Sequence, residues 1–188
     1  MDQLGLVERA RKGDHDAFAV LVDANLARLD TVARLVLRDR ELASDAVQET
    51  LIRAWRHLPG LRDPDRFDAW LRRLTMNACM DLARRRRRRP IEVELTALAL
   101  SGSSTPSPDL GDRELLDNAL ARLDAEHRAV VVLHYYLGLQ LPEVAAALGI
   151  PTGTAKSRLH YSLAAMRAVV LRDEPTPTAA TFPGGQTA

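Results

Sequence analysis

Lys156, Ser157 and His160 put three hydrogen-bond donors into one short stretch, Gly153-Thr-Ala-Lys-Ser-Arg-Leu-His160. At 3.6 residues per turn they share an edge with Gly153 and Arg167, about a third of a turn from an apolar stripe of Ala155, Leu159, Leu163, Met166 and Val170. Lysine and serine can donate to base edges or phosphates, and Gly153 allows close backbone approach. The segment just before supplies a support: a short helix from Leu141, a turn at Gly149, and Pro151 near the start of the next helix. The pair reads as a helix-turn-helix whose second helix suits a DNA major groove. On this segment alone, a solvated edge on a plain helical hairpin stays open.

A second line of residues could also handle nucleic acid. Arg66, Trp70, Arg73, Asn77, Asp81, Arg84 and Arg88 recur at spacings of three and four, which places them along one side of a helix. An aromatic ring can support an unstacked base, an amide can read it, and arginines can hold phosphates. The competing account is a surface helix whose charges serve solubility. A third group, Asp45, Gln48, Glu49, Ile52 and Trp55, sets acidic and amide groups around two large apolar side chains. An apolar centre with a polar rim is the pattern of a protein interface. Helix geometry equally allows Trp55 to widen the core stripe of Val47, Leu51, Ala54 and Leu58.

These residues need helices to position them, and the chain is rich in helix formers. Of 188 residues 46% are hydrophobic but only 4% aromatic, so the cores are built of Leu, Val and Ala. Few glycines and almost no alternating runs predict an all-α fold. Ser101-Gly-Ser-Ser-Thr-Pro-Ser-Pro108 has no helical period and reads as a flexible linker. The expected organisation is therefore two small helical domains, 1–90 and 112–172, a linker at 91–111, and a disordered tail at 173–188. Four helices are predicted in the first domain. Asp16 and Asp39 are the expected N-caps of the second and third; the second buries Phe18, Leu21, Val22, Leu26, Leu29, Val32, Ala33 and Val36. The fourth helix runs from about Arg66, with Phe67, Leu71, Leu74, Ala78 and Leu82 as its core stripe.

Several function classes are disfavoured. No stretch is apolar enough to span a bilayer, so no membrane insertion is expected. The single cysteine, Cys79, excludes an intrachain disulfide, fits a reducing cytoplasm, and is expected to be buried and inert. None of His15, His57, His127, His134 and His160 pairs at i, i+4 with another ligand, so no metal site is expected. There is no phosphate loop and no nucleophile motif, hence no catalytic residues, no cofactor and no enzyme. The net charge of +1 hides a run of six arginines, Arg84 to Arg89, on an otherwise acidic body. Such a concentration points to a local anionic partner.

Three segments, Asp45-Ala-Val-Gln-Glu-Thr-Leu-Ile-Arg-Ala-Trp55, Trp70-Leu-Arg-Arg-Leu-Thr-Met-Asn-Ala-Cys-Met-Asp81 and Gly153-Thr-Ala-Lys-Ser-Arg-Leu159, together resemble the bacterial RNA polymerase sigma factors of the extracytoplasmic-function (ECF) group. The resemblance covers about residues 5–89 and 112–172. It implies a first domain that binds core polymerase through Asp45, Gln48, Glu49, Ile52 and Trp55. The same domain would melt a promoter −10 element. There Trp70, Asn77 and Asp81 meet the opening base pairs, the loop carrying Arg62 and Asp65 captures a flipped base, and Arg84 and Arg85 hold the backbone. It implies a second domain that binds −35 duplex, with Lys156, Ser157 and His160 facing bases and His134, Thr154 and Arg158 facing phosphates. An anti-sigma protein is the expected inhibitory partner. Three departures stand out: Ala155 for a commoner valine, Gln140-Leu-Pro142 in place of a hydroxyl cap, and no arginine-rich continuation after His160. The rival, an operator-binding helix-turn-helix regulator, accounts for the second domain equally well but leaves Trp70, Asn77 and the Ile52 face unused.

Overall fold

The computed structural model describes residues 2–88 and 108–173. All regular secondary structure among the described residues is helical: α1 (Gln3–Arg11), α2 (His15–Leu37), α3 (Arg40–His57), α4 (Phe67–Arg88), α5 (Pro108–Ala121), α6 (Ala125–Val131), α7 (Leu141–Leu148) and α8 (Thr152–Asp173). Two 3₁₀ turns, Leu58–Gly60 and Pro64–Arg66, connect α3 to α4. A π-helical turn, Val132–Tyr136, prolongs α6.

Short acidic side chains start these helices, as their capping chemistry requires. Asp14, not the expected Asp16, caps α2: its carboxylate accepts the Ala17 N–H at 3.0 Å, while Asp16 lies inside the first turn. Gly13, at φ +92°, turns the chain so that Asp14 reaches this position. The Ala17 N–H, then Arg9, hold the Asp14 carboxyl below its ordinary range. Asp39 caps α3 through the Leu42 N–H at 3.0 Å, as expected. Gln140 is the N-cap of α7, and Glu143 accepts its backbone N–H at 2.8 Å. That is the glutamate's own half of a capping box: it satisfies the N-cap N–H, whereas a hydroxyl cap would serve the N–H of the third helical residue.

In the first domain α2, α3 and α4 pack mutually, with α1 across α2. Burial corrects the expected stripes in places. On α2, Leu26 is exposed, Phe18 and Val22 are half-buried, and Asn25 is buried instead, its amide donating to the Leu21 carbonyl at 2.8 Å. On α4, Phe67, Leu71 and Ala78 are buried but Leu74 and Leu82 only half so; Thr75, Met76 and Cys79 complete the core. Apolar burial on α4 is broad because a second surface covers its far side.

That surface is the second domain. There α8 packs against α5, α6 and α7, while α7 also lies on α4 and α6 on α2. One continuous apolar core results, running from Val7 to Leu159. The expected linker boundary shifts, since Pro108–Gly111 already belong to α5. The rest of the predicted linker and the tail from residue 174 lie outside the described residues.

Candidate nucleic-acid interface

Three surfaces carry the residues singled out by sequence. The first is the helix-turn-helix. Gly149 adopts φ +66°, its N–H bonding the Ala146 carbonyl at 3.4 Å, and the chain turns from α7 into α8. A side chain there would strain the left-handed backbone, so the glycine is required by conformation and not by space. On α8, Ala155 and Leu159 are buried, and Gly153, Lys156, Ser157, His160 and Arg167 are exposed along one edge. Leu163 is more exposed than its stripe position predicts; Ser162 is buried in its place, its hydroxyl donating to the Arg158 carbonyl at 2.7 Å.

The residues expected to face phosphates are differently placed. Arg158 is half-buried and ion-paired with Glu126 of α6. Thr154 is half-buried, and its carbonyl accepts the Ser157 hydroxyl at 3.0 Å. His134, in the π turn, places Nδ1 2.7 Å from the Leu139 carbonyl, which orients its ring in the turn ahead of α7. At the start of α6, Asp124 accepts the His127 N–H and faces its ring, each at 2.9 Å. Burial opposes ionisation of Asp124, but these contacts outweigh it and hold the carboxyl below its ordinary range.

The second surface is the outward side of α4. Arg73 and Asn77 are exposed; Trp70 is half-buried, with its ring 6.0 Å from that of Phe67. Packing on Phe67 holds the indole while leaving part of it open. Arg62 and Asp65 are exposed on the segment between the 3₁₀ turns and within the second turn, respectively. Asp63 shapes this segment by accepting the Asp65 N–H at 3.1 Å.

The third surface lies between α3 and α4. Asp45, Gln48, Glu49, Ile52, Arg53, Asp81, Leu82 and Arg85 line one open groove. Ile52 is 37% exposed in it. Trp55 instead turns towards α2, its ring 4.4 Å from His15 and 5.0 Å from Phe18. Trp55 thus lies half-buried against α2 and does not line the groove with Ile52. The groove is spanned by Arg53, which sequence reading overlooked. It donates to Glu49 at 2.7 Å and to Asp81 at 3.2 Å, and Arg84 donates to Asp81 at 2.8 Å. The bond to Glu49, then that to Asp81, outweigh burial and raise the Arg53 pKa above its ordinary value. Burial disfavours the charged Asp81, but the bonds from Arg84 and Arg53 more than offset this and lower its pKa. Asp81 and Arg85, expected beside Asn77, thus border the same groove as Asp45 and Glu49. The i, i+4 pair Glu49–Arg53 was visible in sequence; the link to Asp81, 28 residues on, needed the fold.

Cys79 has no exposed surface, and burial pushes its thiol up to about 12. No cluster of metal-ligating side chains occurs among the described residues, and no described helix is long and apolar enough to cross a membrane.

Two helical units, the second carrying a helix-turn-helix, define the class of protein by its fold. Residues 21–89 match the Sigma-70 region 2 family model and residues 113–166 match Sigma-70, region 4. The ECF RNA polymerase sigma factor SigL of Mycobacterium tuberculosis is 40% identical over 150 residues, covering 78% of this chain and 85% of SigL. SigW of Bacillus subtilis is 29% identical, covering 86% and 92%. Among solved structures, CnrH in complex with the cytosolic domain of CnrY matches with a TM-score of 0.66 at 28% identity, covering 92% of this chain and 99% of that one. The sigma factor RpoE, bound to the anti-sigma factor NepR from Bartonella quintana, matches with a TM-score of 0.66 at 26% identity, covering 84% and 98%. The chain belongs to the ECF sigma factors, and its function is transcription initiation with RNA polymerase.

Proposed function

We propose that α8 grips −35 duplex while α4 melts the −10 element, with core polymerase seated on the α3 face. Lys156, Ser157 and His160 read base edges; Thr154, His134 and, once it exchanges Glu126 for phosphate, Arg158 position the backbone. Trp70 and Asn77 receive unstacked bases, the segment with Arg62 and Asp65 takes a flipped one, and Arg84, Arg85 and Asp81 border the strand path. Asp45, Gln48, Glu49 and Ile52 meet polymerase, with Trp55 buttressing α3 from behind. The first unit, through residue 90, and the second, from α5 to α8 (Pro108–Asp173), act on separate promoter elements.

The observation that carries this reading is the joint presence of an exposed donor edge on α8 and a half-open indole beside an exposed amide on α4. Duplex readers need the first; strand opening needs the second. No covalent chemistry is involved. Unstacking costs roughly a few kcal/mol per base step, offset by contacts to extruded bases that exist only in the open state. Polymerase raises the effective concentration of each domain at its element, so two weak contacts act as one strong one. Because two of the matched structures hold CnrY and the anti-sigma factor NepR respectively, an anti-sigma protein is the expected inhibitor here too. The chain works in the cytoplasm, where a buried, reduced Cys79 is at home, and it is not an enzyme.

The test is in-vitro transcription with core polymerase on a library of promoter-like fragments. New starts sharing a pair of upstream elements are expected. No starts, together with tight duplex binding by the chain alone, would replace this reading with the operator-binding regulator.

A further inference from the structure

We propose that Arg11 and Lys12, at the end of α1, form a phosphate-binding site for the single DNA strand as it leaves the base-capturing segment on the downstream side of the −10 element.

The local chemistry starts with one unsatisfied donor. Arg11 is half-buried, and its Nε is sealed from water with no hydrogen-bond partner among the described residues. Folded chains bury few such donors, because each gives up a hydrogen bond to water without replacement. With Nε closed off, the Nη groups are left to serve a ligand. Arg11 lines an open pocket of about 260 Å³ together with Glu8, Lys12 and Pro59. Lys12 is exposed. Arg9 engages Asp14 at 2.7 Å, whereas Arg11 and Lys12 form no ion pair among the described residues. The end of α1 carries about half a negative charge from its dipole, and Glu8 adds one. The Lys12 and Gly13 N–H groups cover the Arg9 and Ala10 carbonyls, each at 3.0 Å, which blunts the first. Two cations outweigh the remainder, and Arg56, exposed just ahead of Pro59, adds a third.

Placement says which anion. Helix α1 packs along the 3₁₀ turns that join α3 to α4. Its first residue, Gln3, donates to Asp68 near the start of α4 at 3.0 Å, and its last turn reaches Pro59. The segment with Arg62 and Asp65 therefore runs beside α1, in the opposite direction, between these two contacts. Gln3 to Arg11 spans about 12 Å at about 1.5 Å per residue. That is roughly the length of four stacked nucleotides at about 3.4 Å each, and of fewer unstacked ones. A strand following α4 from Arg84 past Asn77 and Trp70 meets that segment next and the Arg11 pocket last. The −35 domain follows α4 at its arginine end, so the pocket lies on the other, downstream side. A phosphodiester suits the site: it is a single negative charge with two free oxygens, one for the Arg11 fork and one for Lys12. The inference rests on the two-element reading above.

The test uses the full chain with core polymerase and a synthetic promoter fragment, duplex through −35 and single-stranded on the non-template strand from −10 onward. Such a fork removes the melting step and leaves the strand contacts to be read. Lys12→Gln, on an exposed side chain, should weaken fork binding about three- to tenfold and reduce the salt slope by about 0.7. Lys12→Arg should restore both. Arg11→Gln should act in the same direction, with its thermal midpoint followed to separate a folding defect. Ending the strand at the flipped base should remove the difference between wild type and Lys12→Gln, as should neutral methylphosphonates at the linkages beyond that base. An unchanged slope for Lys12→Gln, or a difference that persists on the shortened strand, would overturn the site. A wild-type holoenzyme that ignores the fork would instead defeat the two-element reading itself, and this site with it.

Discussion

Glu49, Arg53, Asp81 and Arg84 on α3 and α4 hold one another, whereas Lys156 and His160 on α8 face water. Arg53 joins Glu49 to Asp81, and Asp81 is shared with Arg84. Lys156 and His160 are exposed with no ion pair among the described residues. The difference bears on how each surface can gain a ligand. A contact made by Asp81 or Arg84 must first break an existing pair, so it is selective and its geometry is fixed beforehand. Lys156 has nothing to release except water and counterions, so any affinity it lends an anionic ligand would weaken with salt. On the proposed reading, a tied network suits a surface that keeps its shape while DNA strands separate, and an untied edge suits one that finds duplex.

The sharpest way to break this comparison is at Trp70. Trp70→Ala should lower open-complex formation by about 10- to 100-fold, since one lost base–aromatic stack is worth about 1–3 kcal/mol. It should also reduce stability, because the ring packs on Phe67. Asn77→Ala, on an exposed amide, should show the opening defect without the stability loss; normal permanganate reactivity of −10 thymines would sink that assignment. Next in size is Lys156→Ala, expected to weaken −35 duplex binding about five- to tenfold and to relax base preference at the position it reads. Its thermal midpoint should not change, because the side chain supports no other group.

Arg53→Met should have a smaller effect and of the opposite kind, a stability loss with little direct effect on duplex binding. About 1 kcal/mol is expected after allowing for solvent screening of a partly exposed pair, read as a lower urea midpoint. Asp81 is held below its ordinary pKa, so its contribution is present above the usual carboxylate range. That contribution is lost as pH falls through the depressed value. The part of the wild-type to Arg53→Met difference carried by Asp81 should therefore fade in strong acid. The smallest effect is at Cys79, whose thiol should resist an aromatic disulfide reagent near neutral pH until the chain unfolds. Labelling of the native protein would contradict the burial that raises its pKa.

Sequence alone determined the elements and the exposed edge. The 3.6-residue period, the glycine after α7 and the acidic caps are local features, and local geometry carries them directly into helices. Lys156, Ser157 and His160 could be placed outward for the same reason: they sit away from Ala155 and Leu159 on one helix. Errors arose where a second helix decided the outcome. Leu26 lies on the helical stripe but faces water, and Asn25 is buried because Leu21 and Arg28 satisfy its amide. Trp55 was ambiguous until His15 and Phe18 were found against it. Arg158 looked available for phosphate until Glu126 was found beside it. Helical spacing tells which residues share a side; it does not tell what covers that side. Long-range pairs such as Arg53–Asp81 and Arg128–Val36 join residues 28 and 92 positions apart. They depend on how helices pack, and only the tertiary structure supplies that.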